Sequence, residues 1–143
     1  MKPEVSDILV ISADQLMAGI LSVQAPQYLQ GATAIHGLLM KFAAREYERG
    51  AEIRAAENAD IRALFAELGS EVRDETLKRQ LADAAASRDE SLTISSLDAS
   101  NVALRKLLIA LHVHLEEQRE RAAEKRVWQL LKTMAARRAM PLF

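Results

Sequence analysis

Residues 99–115 read ASNVALRKLLIALHVHL, and this stretch decides the fold. On a helix, Leu104, Leu108, Leu111 and Leu115, with Leu97 just upstream, fall on one stripe. Val102, Ile109 and Val113 form a second stripe about 160° away, flanked by Ala99, Ala103 and Ala110. A helix that is apolar nearly all round must be covered on more than one side. Either it sits centrally among other helices, or its second stripe meets another subunit. Leaving three β-branched side chains wet forgoes roughly 1.5–3 kcal/mol each. The reading favoured is a homodimer with Val102, Ile109 and Val113 at the contact.

Working outward, Ser95 and Asp98 have the spacing of a capping box and place a helix start near Ser96. From there the pattern predicts helix to about Ala139, where Pro141 prevents much more. Unbroken, that helix would be ~65 Å long at 1.5 Å per residue. Upstream, Ile61, Leu64, Phe65, Leu68 and Val72 make a one-sided stripe, continued by Leu77, Leu81, Ala84 and Ala85, with Asp74 as a candidate cap. Gly69 either ends or interrupts that segment, and Ser87–Ser95 reads as loop.

A second segment, from about Pro26 to Asn58, carries Tyr28, Ile35, Leu39 and Ile53 within about 40° of one another. Asn58-Ala59-Asp60 is a plausible break after it, with continuous helix as the other possibility. The first segment, about Ser6 to Val23, aligns Leu9, Ala13, Leu16, Ile20 and Val23, and Pro26 stops it. Together these predict one domain over residues 1–143, all-α, an antiparallel bundle of about four helices with a long C-terminal helix.

Composition agrees. The chain has 143 residues, half of them hydrophobic, with five Gly, three Pro and 4% aromatics, which excludes a turn-rich β fold and a disordered linker. It has no Cys, so disulfide frameworks, thiolate metal sites and cysteine nucleophiles are excluded. Asp14 interrupts the most apolar window, Ile8 to Val23, so neither a secretory signal nor a membrane span is expected, and the expected location is the cytoplasm. Net charge is −1, but residues 1–118 carry −6 and residues 119–143 carry +5. A basic end of this kind suggests an acidic partner, or the preference of a helix C-terminus for cations.

Candidate site residues are few. His112 and His114 lie 200° apart on a helix and cannot share a metal. His112 and Glu116, at i and i+4, share a face, and a site there would need a ligand from another helix, such as His36 or Glu46. Two ligands do not make a site, so no metal or cofactor is assigned. Glu46 and Arg49 fall on the otherwise apolar face of the second segment, and Asn101 lies beside Leu104 and Leu108. With His112 they define a possible polar pocket for a small molecule, which requires a cavity of about 300 Å³ or more. At the C-terminal end, Ala123, Val127, Leu130, Leu131 and Met134 form an apolar face opposite Lys125, Lys132 and Gln129. Trp128, Leu131 and Met134 are the candidate partner groove there.

There is no Gly-rich phosphate loop, no nucleophile elbow and no nucleic-acid-reading motif. The expectation is a non-enzymatic adaptor or chaperone-like protein acting through protein–protein contact, with no nucleic-acid partner. The small-molecule-binding bundle or enzyme is the alternative.

Overall fold

The computed structural model describes residues 4–139, and these are helices joined by short connections, with no strand among them. There are five α-helices: α1 (Val5–Leu21), α2 (Gln27–Leu68), α3 (Glu75–Ala86), α4 (Ile94–Gln118) and α5 (Arg121–Arg138), with a single 3₁₀ turn at Gly69–Glu71. The all-α expectation holds, and three boundaries differ from it. The helix does not break at Asn58-Ala59-Asp60. The stretch has neither Gly nor Pro, and its polar side chains are engaged with other helices, so nothing terminates it locally. The segment expected to start at Ile61 is therefore the end of α2. The Ser95–Asp98 capping box is absent: α4 begins two residues earlier, after Thr93, and Asp98 instead accepts from Arg54 Nε at 2.6 Å. The long C-terminal helix is two helices, broken at Arg119 and Glu120.

The chain divides into two compact units, Met1–Ala51 and Glu52–Phe143, with α2 contributing to each. The first unit is an αα-hairpin. Ser6 Oγ donates to Glu48 Oε2 (3.4 Å), Lys41 pairs with Asp14 (2.8 Å), and Gly37 lies against Met17, so the two helices run antiparallel. Small residues line their contact, with Met17 seated on Gly37. Ala13 and Ala44 are buried, and a Cβ placed on Gly37 would stand 2.7 Å from Met17 Cγ. Small side chains let the backbones approach closely, but they bury little apolar surface.

In the second unit the side chains are large. Ile61, Leu64, Phe65, Leu68 and Val72 meet Leu81 of α3, Leu104, Leu108, Leu111 and Leu115 of α4, and Ala123, Val127, Leu130 and Met134 of α5 in one core. Asp74 caps α3, its Oδ1 accepting from the N–H groups of Thr76 (2.8 Å) and Leu77 (2.9 Å). The polar pairs set the helix directions. Arg138, Arg137 and Arg126 of α5 pair with Glu57, Asp60 and Glu67 of α2, so α5 runs against α2. Arg62 reaches Asp89, just past the end of α3, and α3 likewise runs against α2.

A polar network crosses this unit at its Glu57 end. Glu57 and Asn58 are fully buried and Asn101 is nearly so. Arg138 donates to both Glu57 oxygens, at 2.7 and 2.6 Å. Asn101 Nδ2 donates to Asn58 Oδ1 (2.9 Å) and Glu57 Oε2 (3.4 Å). Asn58 Nδ2 donates in turn to Asp89 Oδ1 (3.0 Å) and the Leu97 carbonyl (3.2 Å). Hydrogen bonds from Arg62, with smaller ones from Ser100 and Asn58, hold the Asp89 carboxyl below its ordinary range, against an opposing effect of partial burial.

Two outcomes follow. Arg138→Met strands the buried Glu57 carboxylate and is expected to cost about 2–4 kcal/mol in urea unfolding, below the fully buried limit because Arg138 is half exposed. Glu57→Leu combined with Arg138→Met is expected to recover much of that loss, since no buried charge is then left unpaired. Asp89, with a depressed folded pKa, stabilises the fold fully above its unfolded value. That stability is lost as pH falls below about 4 toward the folded pKa, and Asp89→Asn is expected to flatten this acid limb in thermal melts.

Candidate functional site

The junction of α4 and α5 gathers the chemistry-bearing side chains of the second unit. Its geometry depends on Arg119, the one non-glycine residue with positive φ among those described (φ 59°, ψ 33°). The Arg119 N–H donates to the Glu116 carbonyl (3.0 Å) and the Glu120 N–H to the Leu115 carbonyl (3.0 Å). These two bonds make a Schellman motif with arginine where glycine is usual. α5 then starts at Arg121 and folds back on α4.

The fold-back sets Trp128 edge-on against the His112 ring, with centroids 5.3 Å apart and planes at 87°. It also brings Glu124 to the His112–Glu116 pair. One ligand atom from each of the three lies within 4.8 Å of the others. Beside them, Arg105, Leu108, Ile109, His112, Val127 and Leu131 line a half-open groove of about 140 Å³. His114 takes no part: its Nε2 accepts from the Arg73 N–H at 3.2 Å.

The residues singled out from the sequence fall into four places. Val102, Ile109 and Val113 are 55%, 64% and 48% exposed among the described residues. Of the candidate partner groove, Trp128 is half exposed and Leu131 is half buried against the core, but Met134 is buried in it and offers no surface. Asn101 is consumed by the polar network, about 16 Å along α4 from His112. Glu46 and Arg49 are exposed residues of the hairpin unit. Asn101 and His112 thus engage separate partners, and the groove that His112 lines has no contribution from Asn101, Glu46 or Arg49.

The basic end has its acidic partner inside the chain. Three of its arginines pair with α2, while Ala123, Val127, Leu130 and Met134 beneath them fill the core. Glu124 is the residue that sequence reasoning missed. An unbroken helix puts it far along the rod from His112, and only the reversal brings it back. No described helix is long and apolar enough to cross a membrane. No known protein family matches the chain, and neither does any curated protein or solved structure.

The left-handed conformation costs an L-residue about 1–2 kcal/mol. Arg119→Gly is therefore expected to stabilise the protein by about 1 kcal/mol, net of the extra entropy of the unfolded chain. That corresponds to a Tm rise of roughly 3–5 °C by calorimetry, and Arg119→Val is expected to lower the Tm.

Proposed function

We propose that this chain is a non-enzymatic interaction protein, an antiparallel helical bundle that self-associates through the hairpin of residues 4–51. The observation that supports this is the orientation of α2. Its apolar seam, Tyr28, Ile35 and Leu39 with Leu38 alongside, points away from the small-residue face that meets α1, and these residues are 73%, 59%, 55% and 42% exposed. Thirteen large apolar side chains of the hairpin unit are exposed, twelve on its helices and Val23 between them.

A half-exposed side chain of this size leaves on the order of 50 Å² of apolar surface in water, so thirteen offer roughly 600 Å². A standard interface removes about 800 Å² per partner, a little over half of it apolar. The hairpin has the surface that a dimer needs, and its contact between Ala13, Ala44 and Gly37 leaves it little core of its own. A second copy is the occupant that suits it best. The seam continues into Glu46 and Arg49, one charge of each sign, so two copies meet without net like-charge repulsion. The outward stripe Val102, Ile109 and Val113 on α4 supplies a further apolar face in the other unit.

Sedimentation equilibrium of the full chain at micromolar concentration is expected to give twice the 15.9 kDa monomer mass. Ile35→Asp with Leu39→Asp is expected to return it to monomer with helical circular dichroism retained. A wild-type monomer at about 50 µM, or a dimer that survives both aspartates, overturns the reading. Dissociation by Ile109→Asp alone instead places the contact on α4.

A further inference from the structure

We propose that His112, Glu116 and Glu124 form a binding site for one divalent transition-metal ion of the zinc type at the α4–α5 junction. His112 and Glu116 sit one turn apart on α4, and Glu124 arrives from the first turn of α5 because the chain reverses at Arg119. The three ligand atoms lie within 4.8 Å of one another. His112 Nε2 is buried and has no hydrogen-bond partner, and its nearest carboxylate oxygen, Glu116 Oε1, is 3.7 Å away. A ring nitrogen removed from water, facing carboxylates but bonded to neither, is what a metal ion satisfies and an ordinary packed histidine is not.

The imidazole–dicarboxylate donor set selects the ion. Mg²⁺ and Ca²⁺ favour all-oxygen shells, whereas nitrogen plus carboxylate suits Zn²⁺ and its neighbours. Donors held tetrahedrally at about 2.1 Å from one ion stand about 3.4 Å apart, so closure from 4.8 Å takes up to about 1.4 Å of movement. The glutamate side chains have the rotamer freedom for that. Arg121, 3.5 Å from Glu124, is 85% exposed and swings into solvent. Trp128 against the ring face holds the imidazole in orientation. Three protein ligands leave a fourth position to water. The bound ion joins the last turn of α4 to the first turn of α5.

Trp128 is the only tryptophan and reports the event. Tag-free full-length protein is titrated with Co²⁺ at about pH 7.5, where an ordinary imidazole is neutral. Trp128 fluorescence is expected to quench saturably at one equivalent, and Zn²⁺ is expected to reverse it. His112→Gln and Glu124→Gln are each expected to weaken binding at least tenfold, with helical circular dichroism unchanged. Glu116→Gln, at a half-exposed position whose side chain faces His112 at 3.7 Å, is expected to weaken it as well. Zn²⁺ is expected to raise the Tm of the wild type and of none of the three variants. No saturable quenching up to about 100 µM Co²⁺, or wild-type affinity in His112→Gln, overturns the site.

Discussion

A carboxylate with no access to water is the constraint around which the larger unit is arranged. Glu57 is fully buried on α2, and removing such a group from solvent costs several kcal/mol unless a counter-charge and hydrogen bonds offset it. Arg138 supplies the charge from the far end of α5, and Asn101 supplies a further donor from α4. Satisfying Glu57 therefore fixes the register of three helices at once. Asn58 passes the constraint to Asp89 and the Leu97 carbonyl, and so to the segment between α3 and α4. Leucine faces tolerate sliding by a turn, because one leucine resembles the next. A bidentate arginine on a buried glutamate does not tolerate it.

The two units solve the burial problem differently. In residues 52–139 most of the large side chains point inward, the stripe Val102, Ile109 and Val113 excepted, and the charged pairs lie along the α2–α5 border. In residues 4–51 the small side chains face each other and the large ones face out. The first arrangement buries a core of its own. The second leaves most of its apolar bulk exposed, which is what supports the proposal of association.

Much of this was legible in the sequence wherever a side chain's role is local. The stripes Ile61–Val72 and Leu97–Leu115 are the core, and Asp74 caps the helix after it, because periodicity and capping act within a turn or two. The Tyr28–Ile35–Leu39 stripe was equally legible as a stripe, but its destination was not. Periodicity says that residues share a face and not which neighbour the face meets, and here α1 takes the small-residue side. The reversal at Arg119 was invisible because its usual glycine is absent. Everything that depends on that reversal, including the approach of Glu124 to His112 and the split of the long helix, was hidden with it. Asn58 marked a plausible break and Asp98 a cap, and the fold uses both between helices instead, at Asn101 and Arg54.

The pairing of α5 with α2 has a consequence for how the chain is made. Glu57 and Arg138 are 81 residues apart in sequence. At about 5–20 residues per second, a ribosome delivers the arginine roughly 4–16 s after the glutamate. Throughout that interval Glu57 has no arginine from α5, and once α4 is made its leucine face lacks α5 as well. The buried carboxylate is thus neutralised only after the last described helix has been synthesised.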